Sequence, residues 1–464
     1  MKLNQIKNNL LHTGVAIALV TGMAFTLPSA NAGGKITIDD TKWISVGMGI
    51  RMNYSAVQQG SAGIKFNGTG KDYSSDFSLN NTRIYLAGQV HKYIKFAFNT
   101  ECFNCGFGNG SVSPSFTGLN GFASNSNIGI LDAIVKFEFN RHVNFWVGRT
   151  LVPTTRGELN GPFYHQTHEG FKTPFYPSDH SVNFAGGQFG TPGGNSGGFL
   201  NGAGLYGRDD GVVFFGDLDV AQPWGGNGTL QYSSMVSSGV RSAALLGPNQ
   251  SDSNMWSGRV TYNFLNPEKN PGYYTSGGYY GGAGDILAIA MGISHQKDGA
   301  GTFIHTSDFT GLTTDLLFEK VLDNNMGVFT FNAEYKRFWA PYDKIGQIGK
   351  TGLAGLGGVN AFASPDCACW FRGQSWTMYG LYLIPHKVGI GRFQPYGRFV
   401  SVQPESSTNR TEIEGGVNYI IDNYNARLSA FWQHGDLFTK GLNYSPFAAG
   451  NKIDKFTIAV QLQI

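Results

Sequence analysis

The chain has 464 residues, among them 66 Gly, with 14% aromatic and 14% charged residues and a formal net charge of +3 from 34 Lys and Arg against 31 Asp and Glu. A hydrophobic fraction of 41% with 14% aromatic residues excludes a chain that is disordered over most of its length. A charge this small and scattered gives no electrostatic ground for a nucleic-acid partner.

Residues 1–32 read as a secretory signal peptide. Lys2 and Lys7 supply a positive start, Gly14 to Leu27 is an apolar run too short to cross a bilayer comfortably, and Ala30-Asn31-Ala32 is a small-residue cleavage site. Cleavage after Ala32 leaves 33–464 as one mature domain. Beyond Leu27 no apolar run approaches the roughly 18 residues of a transmembrane helix, so the exported chain is either soluble or a membrane β-barrel.

From Trp43 onward the pattern is period-two alternation in stretches of about ten residues, broken by Gly-, Asn-, Asp- and Pro-rich segments. The predicted strands lie near 43–54, 77–90, 91–101, 129–139, 142–149, 209–217, 229–238 and 255–264. They continue near 285–296, 309–321, 327–339, 373–384, 389–401, 410–421, 424–434 and 454–464, about 16 in all. Turns such as Asn140-Arg141, Asp323-Asn324-Asn325, Pro385-His386-Lys387 and Asp422-Asn423 alternate with long Gly-rich loops. An even strand number with long loops on one rim and short turns on the other predicts an all-β fold, an antiparallel up-and-down transmembrane β-barrel. Two connections break the alternation, one around Pro223 to Gly228 and the longer Pro267 to Gly284.

The strand faces sharpen this expectation. Tyr424, Ala426, Leu428, Ala430 and Trp432 share one face, against Asn425, Arg427, Ser429 and Gln433. Ile44, Val46, Met48, Ile50, Met52 and Tyr54 stand against Ser45, Gly47, Gly49, Arg51 and Asn53. Apolar faces bracketed by aromatics suit lipid with an interfacial girdle. A soluble β-sandwich or β-helix would keep its outside wet with more charge than this chain has.

Three stretches, Leu79 to Glu101, Ile130 to Pro153 and Gly207 to Leu218, carry a family resemblance. The residues concerned are the Arg83 strand with its tight turn to Tyr93, Val147-Gly148-Arg149 before Pro153, and Arg208-Asp209-x-Gly211-Val212. They resemble the phosphate-selective porin family of the O and P type, over roughly the first half of the chain. The resemblance implies a bacterial outer-membrane diffusion pore with 16 strands, homotrimeric and embedded in outer-membrane lipid, with a preference for anions in some members.

Selectivity in a wide barrel comes from lumen charge and from whatever narrows the lumen. By parity the inward bases are Arg51, Arg83, Lys95, Lys136, Arg259, Lys336, Arg392, Arg398, Arg410, Arg427 and Lys455, and the inward acids Glu101, Asp132, Glu138, Glu334, Glu412 and Glu414. That leaves an excess of about +5, a modest field favouring anionic over other small hydrophilic solutes. Cross-strand pairing is the competing expectation, with no net preference. Arg149 and Arg156 join the candidate pore-lining residues at the strand end and in the longest loop. That loop, 150–208, is the candidate constriction; it also holds Glu158, His165, His168, Glu169, Lys172, Asp179 and His180, so selectivity set there would depend on pH near His titration. A plain surface loop is the alternative.

Other motifs carry less. His165-Gln166-Thr167-His168-Glu169 is neither H-E-x-x-H nor H-x-x-E-H, and Gly202-Ala203-Gly204-Leu205-Tyr206-Gly207 leads into a strand where a dinucleotide site needs a helix. Cys102, Cys105, Cys367 and Cys369 are disulfide candidates with three possible pairings. No cofactor, metal or catalytic constellation is expected. The rival functional classes are an outer-membrane barrel enzyme, a sheath for a partner electron-transfer protein, and a secreted soluble glycan-binding β protein.

Overall fold

The computed structural model describes residues 33–58, 73–103, 127–171, 207–222, 226–239, 251–301, 306–339, 372–404, 409–436 and 452–464. The signal peptide, Cys105, Cys367, Cys369 and loop residues 172–206 lie outside them.

Among the described residues, seventeen strands form one antiparallel sheet. They are β1 (Gly34–Thr37), β2 (Trp43–Gln58), β3 (Tyr73–His91), β4 (Ile94–Phe103), β5 (Asn127–Glu138), β6 (Asn144–Leu151), β7 (Arg208–Ala221), β8 (Asn227–Ser237) and β9 (Met255–Asn263). After these come β10 (Ile286–Gly301), β11 (Thr306–Leu322), β12 (Gly327–Trp339), β13 (Arg372–Leu383), β14 (Arg392–Pro404), β15 (Arg410–Asp422), β16 (Ala426–Gly435) and β17 (Ile453–Gln463). Each strand from β2 to β17 pairs with the next, and β17 pairs back onto β2, closing a barrel of 16 strands. Closure removes the free edges that an open sheet of this size would expose.

The short β1 is the element that periodicity missed. It pairs with the first residues of β2, from Thr37↔Trp43 to Gly34↔Val46, while β17 covers β2 from Gly49 upward. Two chain segments thus share one side of β2, and Met48 and Ile464 exchange backbone hydrogen bonds between them.

Short turns follow from local chemistry. Asn140 accepts the backbone N–H groups of His142 and Val143 with its own side chain, and Asn324, Asn325 and Asn423 adopt positive φ. Asn tolerates that left-handed region better than other non-Gly residues.

Alternation sorts the side chains. Val46, Met48, Ile84, Val135, Val147, Val260, Ile289, Leu428 and Ile458 are exposed on the outside. Exposed aromatics flank them in two tiers: Tyr54, Phe77, Trp256, Trp339, Trp376 and Phe456 toward the long-loop rim, and Tyr93, Phe139, Phe329, Tyr382 and Phe393 toward the turn rim. An apolar band between aromatic girdles is what a bilayer selects. Tyr424 departs from the expected face: it belongs to the turn before β16 and points inward, where its hydroxyl donates to the Gly278 carbonyl at 2.8 Å.

Candidate functional site

The lumen is occupied from both rims. From the long-loop rim, the connection after β6 turns inward over residues 152–171 and carries the short helix α1 (Arg156–Asn160). Most of these residues are buried although they belong to a loop, and they pack inward against the wall. From the opposite rim, the 264–285 connection after β9 enters as well. The two backbones meet where the Gly277 N–H donates to the Tyr164 carbonyl at 2.8 Å. A Cβ on Gly277 would lie 2.9 Å from the Gln166 nitrogen, so glycine is required for that approach. Gly292 on β10 plays the same part, because a Cβ there would lie 2.8 Å from the Thr154 carbonyl oxygen.

Inward strand residues hold the loop, chiefly by donating to its carbonyls. Arg51 donates to the His168 carbonyl, Arg427 to those of His165 and Gln166 at 2.7 and 3.0 Å, and Arg398 to that of Gly170 at 3.1 Å. Asn418 reaches Gln166 at 2.8 Å and Gln461 reaches Phe163 at 2.9 Å. Phe163 packs under the Arg83 guanidinium, 5.3 Å from ring centre to carbon. A loop in the lumen has unpaired carbonyls, and the wall satisfies them with cations and amides.

Most bases of the wall have acid partners. Arg83 pairs with Glu101, Lys95 with Glu138 at 2.6 Å, Arg208 with Asp132 at 2.9 Å, Lys336 with Glu334 at 2.9 Å and Lys455 with Glu169 at 3.2 Å. Arg398 faces both Glu412 and Glu414. Arg156 pairs with Glu268 and Asp315, and Arg259 with the same Asp315. Lys136 lies 4.0 Å from the Trp146 ring. Arg51 and Arg427 differ: their hydrogen bonds go to carbonyls, to the Asn81 and Gln461 amides and to the His168 ring.

This revises the sequence expectation at Arg149 and in the net charge, and leaves Arg392 where parity put it. Arg149 does not line the pore; it sits on the outward register beside exposed Val147 and pairs with Asp210 at 2.8 Å. Arg392 keeps the inward register of Gln394 and Arg398. The excess of about +5 also shrinks, because Asp209, Asp217, Asp315 and Glu319 are further lumen acids on β7 and β11. Parity alone would have found Asp315 and Glu319, which alternate with Leu316 and Phe318. Nothing local marks Glu268 as a partner of Arg156.

Residues 161–171 run in turns and bends. His165 packs against Phe171, and the His168 ring lies beside Arg51 Nη2 at 3.2 Å. Burial and the neighbouring Arg51 push the His168 imidazole well below its ordinary value; Glu169 opposes this shift, while Arg427 and Lys455 reinforce it. A neutral buried His favours the folded state fully above its unfolded value of about 6.5, and that contribution is lost as pH falls below it. Conductance is therefore expected to stay flat above neutral pH and to change as the loop loosens in acid. Recordings of His168→Gln against wild type across pH 5–8 check this, since the variant should lose the acid response.

Cys102 is disulfide-bonded. Among the described residues no group of three or more His, Cys, Asp or Glu is placed to hold a metal ion.

A closed sheet with a lipid-facing apolar band, aromatic girdles and a polar, inwardly narrowed lumen makes this chain an outer-membrane β-barrel. No protein-family model and no curated protein sequence matches it. Solved structures similar to it include an anion-selective porin from Comamonas acidovorans, at 12% identity over 91% of this chain and 100% of that one, with a TM-score of 0.48. The outer membrane channel DcaP of Acinetobacter baumannii is similar at 11% identity over 93% and 100%, with a TM-score of 0.46. OmpT of Vibrio cholerae, in a loop L8 deletion mutant, is similar at 10% over 92% and 100%, with a TM-score of 0.45. The fold assignment rests on the closure of the sheet itself.

Proposed function

We propose that the protein is an outer-membrane porin, a water-filled channel for passive diffusion of small hydrophilic solutes with a mild preference for anions. Residues 1–32 serve as its export signal, and a homotrimer is carried over from the family resemblance. The observation that carries the reading is the lumen: a membrane barrel narrowed by an inward loop that hangs on wall arginines. Arg51 and Arg427 supply the anion preference, because their positive charge is spent on neutral acceptors while Arg83, Arg156, Arg259 and Arg398 are matched by acids. Phosphate is the anion that the resemblance suggests.

The test is the reversal potential of the purified protein in a planar bilayer under a salt gradient, followed by added phosphate. A potential favouring chloride supports the anion porin, and block by phosphate narrows it to a specific site. Correctly folded protein without channel activity overturns the pore. A unit charge about 7 Å from the path in water is worth about 0.6 kcal/mol, in favour of an anion and against a cation, so Arg51→Gln and Arg427→Gln should each lower the anion-to-cation ratio about sevenfold. An unchanged ratio in the double variant removes these residues from selectivity.

A further inference from the structure

The pore reading leaves the 264–285 segment unexplained. A connection on the short-turn rim needs only a few residues to join neighbouring antiparallel strands, as Asp422 to Ala426 shows between β15 and β16. This one instead enters the lumen and is held on two sides. Toward the wall, Glu319 accepts the backbone N–H groups of Tyr279 and Gly281 at 2.8 and 2.9 Å, and Asn332 donates to the Gly277 carbonyl at 2.7 Å. Toward the inward loop, Thr275 donates to the Asn160 side chain at 2.6 Å, and the Arg156 carbonyl lies 3.2 Å from the same hydroxyl. Tyr273 donates to the Leu151 carbonyl where β6 gives way to the loop.

The charged centre of this contact is a group of four. Asp315 on β11 faces two guanidiniums, those of Arg156 and Arg259. Glu268 of the re-entrant segment adds the second carboxylate, gripping Arg156 through both of its oxygens, while the Ser276 carbonyl accepts from Arg156 at 3.0 Å. The Arg156 and Glu268 side chains are 0% and 2% exposed. Without Glu268 the four-membered group would carry one net positive charge; with it the group is neutral.

We propose that the 264–285 segment is a second selectivity element of the pore, and that Glu268 is the positioning residue that ties the constriction loop down and cancels the charge of Arg156. The inference rests on the pore reading. It assigns the loop's position to a contact between opposite rims, and it confines the anion preference to the Arg51 and Arg427 side of the lumen.

Single-channel conductance and reversal potential of wild type, Glu268→Gln, Arg156→Gln, the double variant and Glu268→Asp test it. Glu268→Gln should raise the anion-to-cation ratio about sevenfold and Arg156→Gln should lower it by a similar factor, by the same charge-distance relation. Glu268→Asp should keep the wild-type ratio. A segment that is merely structural would move conductance without these opposite signs, so equal ratios or shifts in one direction overturn the proposal. Should the single variants not fold, the double variant decides, because it leaves Asp315 with Arg259 and no lone charge. Its conductance should rise as the loop is released while its selectivity stays at the wild-type value; unchanged conductance or shifted selectivity overturns the proposal. A silent wild-type channel would instead count against the pore itself.

Discussion

Arg398→Leu is expected to destabilise the folded barrel by about 3–5 kcal/mol, the range for removing one partner of a buried ion pair. Arg398 on β14 donates through Nε to Glu414 at 2.9 Å and through Nη2 to both Glu412 and Glu414, and all three side chains are buried. Glu412 and Glu414 lie two residues apart on β15, so both project from the same inward face. Without the guanidinium two like charges would share a site beside the neutral donors Gln433, at 3.0 and 3.1 Å, and the Tyr396 hydroxyl, at 2.7 Å. The Gly170 carbonyl would also lose its donor, which loosens the end of the inward loop. Urea unfolding in detergent micelles checks the loss. Adding Glu412→Gln and Glu414→Gln to Arg398→Leu should recover most of it, because the unpaired charges disappear with the cation; no recovery would show that packing, not charge, sets the cost.

Ile458→Arg is expected to cost about 2–4 kcal/mol in a bilayer, the range for a cation on the lipid face at mid-height. Ile458 lies in the middle of β17, between Ala430 of β16 and Tyr54 of β2, and is 64% exposed on the outside. Ile390 is equally exposed at 70% but sits in the turn before β14, where the same change should cost about 0–1 kcal/mol. Unfolding free energies of both variants in lipid vesicles measure the difference. If both changes fall within about 0.5 kcal/mol of wild type, as for an ordinary wet surface, the outside does not face lipid and the secreted soluble reading returns.

Much of this molecule is legible from local pattern. Alternation in β2, β9, β16 and β17 placed the apolar face outside and Arg51, Arg259, Arg427 and Lys455 inside, because side-chain direction in a strand has a period of two and needs no tertiary information. Long and short connections alternated visibly, and the asparagines at 140, 324, 325 and 423 announced their turns. Parity failed where the chain leaves the ladder: Tyr424 turns inward to the re-entrant segment, and β1 is too short for its period to register.

The sequence by itself determined the barrel, its strand count and its lipid face, since each follows from residue order within the strands and turns. Only the tertiary structure decided which charges remain uncompensated. Arg156 meets Glu268 and Asp315 across separations of 112 and 159 residues, and Arg398 reaches the Gly170 carbonyl across 228. Such partners are chosen by sheet closure and by two segments entering from opposite rims, and no local periodicity encodes that meeting. The same closure placed Arg149 on the outer face with Asp210 and left Arg51 and Arg427 facing neutral acceptors in the lumen.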